Sequence, residues 1–292
     1  IASCLVGSEM CIRDSYSVSE EMLKEIEEKS KKLALGLNVK GLLNIQFAIK
    51  DEELFILEAN PRASRTMPFV AKVTGNQIIK AGTLLMLGYS IDEVRNKTKY
   101  LSSSSNKVAI KKAIFPWSRF PAEDTMLGPE MKATGEVLGV GKEFGTALNK
   151  AYAAAGVEIN NKEKGIFVTL SDSEKPNFIK TVNKYLELGF TLYSTEGTGK
   201  FLKTNGIDSV IVGKADDLGQ TSLTIIEDKL VSLVINTPTY ANELSDGWKI
   251  RRLSHETGVA VVSSVREADA FIEAFLNQNL VLDDLEVIQD VS

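Results

Sequence analysis

Between Leu57 and Phe69 the chain reads LEANPRASRTMPF: Glu58 and Asn60 follow an apolar run, and Arg62 and Arg65 come within the next few residues. Hard oxygen donors of this kind suit Mg2+ or Mn2+, which bind through one or two carboxylates and complete their shells with water and substrate phosphates. The two guanidinium groups offer delocalised positive charge matched to phosphate or carboxylate oxygens. Donors first and arginines after describe a site for a metal-bound polyphosphate. The competing reading is a solvated strand end with surface ion pairs, and composition alone does not separate the two.

A second group lies further along. The stretch YSTEGTGKF sets Thr195 and Thr198 around Glu196-Gly197 at a predicted strand-to-helix turn, where exposed backbone N–H groups bind anions. Lys175, Lys214, Asn236 and Thr237 come from other predicted strand ends or loops. Taken singly, each threonine reads as a helix cap. Together, at successive strand ends, they describe a ligand pocket. Asp216-Asp217 read as solvated. His255, the single histidine, lies in a predicted helix after Arg251-Arg252 with no Cys or second His nearby, which points to a surface or capping role. Trp117 and Trp248 read as packing residues.

Elements must position these groups. Ser19 with Glu20-Glu21 is an N-terminal helix signal, and Met22, Ile26, Leu33 and Leu37 follow at near-helical spacing up to about Gly36 to Asn38. Two strand-like runs, LLNIQFAIK (42–50) and ELFILEANP (53–61), read as a β-hairpin. With residues 51–53 as the loop, Lys50 faces Leu54 and Gln46 lies opposite Glu58. Strand alternation then puts Asn60 on the same face as Glu58, so three oxygen-bearing side chains converge. An apolar helical segment follows at 77–87, then a polar, serine-rich loop at 97–107. Two strand candidates (108–117 and 135–141) and a helix ending at Gly156 lead to the polar linker 157–164. Beyond it, strands at 165–170, 190–195, 208–212, 229–237 and 259–264 alternate with helices, the clearest at 175–188 and 265–279. Such alternation implies α/β architecture with a doubly wound parallel sheet and ligands at the carboxyl ends of its strands.

The totals agree with two soluble domains. The chain has 292 residues, 43% hydrophobic and 25% charged, and no apolar stretch near the roughly 20 residues of a membrane span. A net charge of -5 and the lack of a dense Lys/Arg cluster exclude a nucleic-acid footprint. Two cysteines, Cys4 and Cys11, make neither a disulfide framework nor a zinc cluster, and the expected compartment is the cytoplasm. Residues 1–14 carry no signal-peptide pattern and remain unassigned, in keeping with a foreign junction or a domain opened upstream.

QFAIKDEELFILEANPRASRTMPFVAKVTG resembles the end of an ATP-grasp domain, specifically that of carbamoyl phosphate synthetase large subunits, and LGPEMKATGEVLGVG (127–141) is similar to the same family. The resemblance implies that Gln46, Glu58 and Asn60 hold the metals bridging the ATP phosphates, with Arg62 and Arg65 on the phosphoryl or carbamate side. It implies residues 15–161 as the end of the carbamate-phosphorylating ATP-grasp domain and 162–292 as a methylglyoxal-synthase-like allosteric domain. There Lys175, Thr195, Thr198, Lys214, Asn236 and Thr237 would meet a nucleotide or phosphorylated effector. Implied with it are ATP as substrate, Mg2+ or Mn2+, a glutamine amidotransferase small subunit, an oligomer, and carbamoyl phosphate for pyrimidine and arginine biosynthesis. Lys111-Lys112 stand where ornithine-responsive members carry a carboxylate, so no ornithine response is expected. No glycine-rich nucleotide lobe precedes Ser15, and the segment alone is expected to be inactive. The alternative is a non-catalytic nucleotide- or phosphate-sensing module.

Overall fold

The computed structural model describes residues 11–12, 18–98, 108–115, 117, 120, 124–125, 135–157, 159, 165–237 and 245–277. Most of the serine-rich loop, most of the linker and residues 127–134 of the second family-like stretch lie outside them. Packing divides the chain into two units, the second running from Ala113 to Leu280.

In the first unit a two-residue strand β1 (Cys11–Ile12) pairs antiparallel with β4 (Val108–Ala113). Helix α1 (Glu20–Gly36) starts at the expected cap, where the Met22 N–H donates to the Ser19 hydroxyl at 3.3 Å. The hairpin is β2 (Asn44–Lys50) and β3 (Glu53–Asn60). Its turn is tighter than the sequence predicts. Asp51 and Glu52 both take positive φ, 50° and 62°, as a two-residue primed turn requires, and Lys50 therefore pairs with Glu53 rather than Leu54. A bulge then compensates: Phe47 pairs with Ile56 but Gln46 with Glu58, leaving Leu57 as the extra residue. The expected Gln46–Glu58 pair forms because these two one-residue departures cancel.

TMPFVAKVTG, unassigned from sequence, is helix α2 (Thr66–Thr74), stopped by Gly75 at φ 67°. Pro68 is tolerated there because it sits in the first turn, where its missing N–H has no intrahelical partner. Helix α3 (Ile78–Met86) matches the apolar segment, and α4 (Ile91–Lys97) begins with a Ser90/Glu93 capping box.

The second unit opens with β5 (Glu136–Gly141) and α5 (Phe144–Ala154). Five parallel strands follow: β6 (Gly165–Thr169), β7 (Thr191–Ser194), β8 (Val210–Ile211), β9 (Val231–Asn236) and β10 (Ala260–Val262). Between and after them come α6 (Lys175–Glu187), α7 (Glu196–Thr204), α8 (Thr224–Glu227), α9 (Asp246–Thr257) and α10 (Val265–Leu276). The order β10-β9-β6-β7-β8 makes this the doubly wound α/β sheet that the alternation implies. Phe167, Val234 and Ile250 belong to the core joining the sheet to α8 and α9. Chain leaves β6 toward β7 but leaves β9 toward β10, so a crevice opens between the carboxyl ends of β6 and β9.

Packing and sequence draw the division differently. The polar linker suggests 161/162, yet α5 lies against α10. A Cβ on Gly145 would collide with the Glu273 carbonyl oxygen, and buried Asn149 donates to the carbonyls of Ala274 at 2.8 Å and Asn277 at 3.1 Å. Among the described residues no helix is long and apolar enough to cross a membrane.

Candidate functional site

The first candidate site is one face of the hairpin. Gln46 lies opposite Glu58 and Asn44 opposite Asn60, so two cross-strand pairs set four oxygen-bearing side chains side by side. Asn44 was not singled out from sequence. The same two-residue step that links Asn60 to Glu58 links Asn44 to Gln46, and that was the available signal. Glu58 is exposed, while the Asn60 Nδ2 is buried without a hydrogen-bond partner. No cluster of three His, Cys, Asp or Glu side chains occurs among the described residues. The donor set is instead one carboxylate with neutral amides, which fits a hard divalent cation whose remaining ligands are water and substrate phosphate.

Arg62 and Arg65 occupy the turn from β3 into α2. Both are exposed, and Arg62 Nη1 donates to the Ala63 carbonyl at 3.2 Å. Arg65 is the N-cap of α2, makes no side-chain capping bond, and no acidic residue lies in the first turn. A cation at the positive end of a helix is unfavourable in isolation. An anion held between the two arginines would offset that charge, so the local electrostatics ask for a phosphate or carboxylate, although the helix end adds little, since Pro68 has no N–H and the Met67 N–H donates to the Ser64 carbonyl at 3.1 Å.

The second candidate site is the crevice at β6 and β9. Thr198, 2% exposed, accepts from the Leu170 N–H at 3.1 Å, and Thr195 donates to it at 3.3 Å. Thr237 accepts from the Ser171 N–H at 2.8 Å, while its own N–H donates to the Thr169 carbonyl at 3.0 Å. The ends of three neighbouring strands, β7, β6 and β9, are thus stitched by Thr195, Thr198 and Thr237, the three threonines predicted to bind ligand. Thr195 caps α7 by position but not by a side-chain bond, which leaves the first-turn N–H groups open. Asn236, 4% exposed, accepts through Oδ1 from Arg251 Nη1 at 2.6 Å. Sequence reading missed Ser171 and Arg251. Nothing in the spacing marks them, because their relevance depends on which strand ends become neighbours.

The two lysines differ. Lys214 follows β8 at the sheet edge, and its N–H donates to Asp217 Oδ2 at 2.7 Å. The Glu196 carboxyl is held below its usual range mainly by its hydrogen bond and ion pair with Lys200 at 2.6 Å. Lys175 pairs with Asp172 at 2.5 Å. Asp172 therefore stands where an incoming anion would meet that ammonium. Lys175 holds the Asp172 carboxyl below the usual carboxylate range, so the pair breaks only under acid conditions, well below the pH of about 6 at which even a phosphate monoester gains its second charge. Acid will not free the lysine for a dianion, but substitution will. Asp172→Asn is expected to tighten inorganic phosphate binding about two- to fivefold, the scale of an exposed ion pair. Unchanged affinity by calorimetry would place Lys175 outside the site.

Other features read as structure. Between α6 and α10 lies a groove of about 420 Å³ lined by Glu174, Lys180, Lys184, Arg266 and Asp269 and bridged by the Lys184–Asp269 pair at 2.8 Å. His255 sits in the last turn of α9 with its ring 5.6 Å from that of Trp117, which stacks on Phe115 at 4.8 Å. Lys249 pairs with Asp216 at 2.7 Å.

The two halves match two family models. One, described as carbamoyl-phosphate synthase L chain, ATP binding domain, covers residues 7–94, starting ahead of Ser15 and taking in the hairpin face and both arginines. The other, described as MGS-like domain, covers 177–263, from just after Lys175 through Thr195, Thr198, Lys214, Asn236 and Thr237. Among curated proteins, the chain is 38% identical to the carbamoyl phosphate synthase large chain, C-terminal section, of Aquifex aeolicus, across 89% of this chain and 50% of that one. The section of the same name from Methanocaldococcus jannaschii is 36% identical across 92% of this chain and 44% of its own length. The carbamoyl phosphate synthase large chain of Archaeoglobus fulgidus is 38% identical across 98% of this chain and 27% of its own. The chain thus spans at most about half the length of these relatives.

Proposed function

We propose, from the premise that this chain corresponds over most of its length to the carboxyl-terminal section of carbamoyl phosphate synthase large chains, that it supplies two parts of that ligase. The first is the closing edge of the site where ATP phosphorylates carbamate. The second is an effector domain that takes a phosphorylated small molecule. The observation that carries the first is the paired face of the hairpin, Asn44–Asn60 and Gln46–Glu58, followed at once by Arg62 and Arg65.

Gln46, Glu58 and Asn60 would hold Mg2+ or Mn2+, which when bound would supply positive charge to neutralise the nucleotide phosphates. The orphaned Asn60 Nδ2 is a donor that a substrate or water oxygen would satisfy. Arg62 and Arg65 would bind the anionic acceptor and steady the charge spread over the transferring phosphoryl oxygens. The protein's contribution is position and electrostatics. The complete large chain would work in the cytoplasm with a glutamine amidotransferase small subunit supplying ammonia, as part of an oligomer, making carbamoyl phosphate for pyrimidine and arginine biosynthesis. A regulatory module without catalysis would keep the second site and leave Glu58 idle.

In the effector domain, for which we keep the span 162–292, the ligand site is proposed at the β6–β9 crevice. Thr198 accepts from the Leu170 N–H and from the Thr195 hydroxyl, which leaves its own hydroxyl proton for a ligand oxygen, whereas the Thr237 hydroxyl accepts from the Ser171 N–H and donates to Ser171 Oγ at 3.4 Å. Support comes from Asn236, whose buried side chain is bound on its oxygen side alone among the described residues. Calorimetry of the chain against UMP, IMP and inorganic phosphate tests this. Thr198→Ala should weaken binding about tenfold or more, the loss of one hydroxyl bond to a charged group. Thr198→Ser, which keeps the hydroxyl and its bond from Leu170, should stay within about threefold. Equal binding by parent and alanine variant would move the pocket elsewhere.

A further inference from the structure

We infer that Arg251 is a positioning residue of the effector site: by fixing the side-chain amide of Asn236 as a hydrogen-bond donor, it requires the bound molecule to present an acceptor there. The inference rests on the placement of the effector pocket at the β6–β9 crevice.

Chemistry decides which way the amide points. Arg251 Nη1 lies 2.6 Å from Asn236, and a guanidinium can only donate, so the atom facing it is the amide oxygen. Nδ2 is then turned away with two protons to give. Rotating the amide would set NH2 against guanidinium, a buried donor–donor contact with neither group satisfied.

Arg251 is itself held. It is 3% exposed, and its Nε and Nη2 donate to the two carboxylate oxygens of Asp124 at 3.0 Å and 2.5 Å. This two-point pairing uses the planar fork and leaves Nη1 aimed at Asn236. The next residue, Arg252, donates to the carbonyls of Phe120 at 2.6 Å and Trp117 at 2.7 Å, which ties the neighbourhood of Asp124 to α9. Asp124, Arg251 and Asn236 thus form a relay ending on one outward pair of N–H protons. Gly247 flanks it: a Cβ there would lie 3.2 Å from Arg251 Nη1 and 3.4 Å from Asn236 Nδ2, and glycine leaves that side open. A phosphate oxygen or a base carbonyl meets the requirement, whereas an ammonium group does not.

The test uses the whole chain with asparagine-selective isotope labelling, the Asn236 amide signal being identified by its disappearance in Asn236→Asp. Inorganic phosphate and UMP are titrated separately, with heats measured in parallel. The expected result is that the probe that binds shifts the Asn236 amide protons. Asn236→Asp, which aims a carboxylate oxygen at the anion, should weaken binding more than tenfold. Arg251→Gln combined with Asp124→Asn, which avoids stranding a buried charge, should weaken it about tenfold, while Arg251→Lys, retaining one donor, should recover part of the loss. A probe that binds and leaves the Asn236 signal unmoved overturns the role of Arg251 and leaves the effector pocket standing. A double variant that binds like the parent does the same. Absence of any binding to the parent at millimolar probe overturns the pocket and the relay together.

Discussion

Glu58→Gln, introduced into a complete large chain carrying this segment, is expected to lower carbamoyl phosphate formation about a hundredfold or more and to raise the Mg2+ requirement. The substitution keeps the size and one acceptor oxygen and removes the single negative charge of the donor set, whose other members, Gln46, Asn60 and Asn44, are neutral. A divalent cation bridging polyphosphate draws its protein affinity mainly from carboxylate, and losing one preorganised electrostatic contact to a transferring phosphoryl group has effects of this size. The measurement is carbamoyl phosphate formation as a function of Mg2+, and ATP formation from carbamoyl phosphate and ADP, the reverse of the same phosphoryl transfer, should fall with it. Glu52→Gln, in the exposed turn of the same hairpin, is the control and should leave the rate unchanged. If the two variants behave alike, the hairpin face is not the metal site and the regulatory-module reading takes its place.

The largest structural effect is expected at Gly145. Gly145→Val drives a side chain into the Glu273 carbonyl, a backbone atom that cannot rotate aside, and separates α5 from α10. The Asn149 bonds to Ala274 and Asn277 are lost with it. Overpacking and two stranded carbonyls together cost about 3 kcal/mol or more, which lowers the thermal midpoint of a unit of this size by about 10 °C. Gly36→Ala, at a position with open space around it, should change the midpoint by no more than a degree or two in either direction. The same contact ranks two truncations. Residues 113–292 should melt higher than residues 162–292, because the shorter piece uncovers the face of α10 on which α5 lies. Equal midpoints would mean that α5 does not brace the effector domain and that the polar linker marks the folding boundary as well.

Much of this protein was legible in one dimension wherever the signal was local or periodic. Ser19 as a cap, the alternation of five strands with helices, and the face shared by Glu58 and Asn60 all depend on neighbours a few residues apart, and the chain folded as those spacings required. Even the hairpin pairing was recovered, although Lys50 pairs with Glu53 and a bulge at Leu57 restores the register. A turn type and a bulge are each set by backbone torsions that residue identity only biases, so their cancellation could not be read from the letters. Helix α2 was missed because Pro68 obscures a periodicity that its first-turn position in fact permits.

What only the tertiary structure decided is which distant groups meet. The strand order β10-β9-β6-β7-β8 makes the ends of β6 and β9 adjacent, though the strands lie more than sixty residues apart, and only then do Ser171 and Thr237 bond. Asp124 and Arg251 pair across 127 positions, and Asn149 reaches Ala274 across 125. Pairings of that length carry no periodic mark in the chain. They follow from burial: once α9 and α10 cover the sheet, a guanidinium at the α9 surface must find a carboxylate and an amide oxygen or remain charged and unpaired away from water, and the fold supplies both.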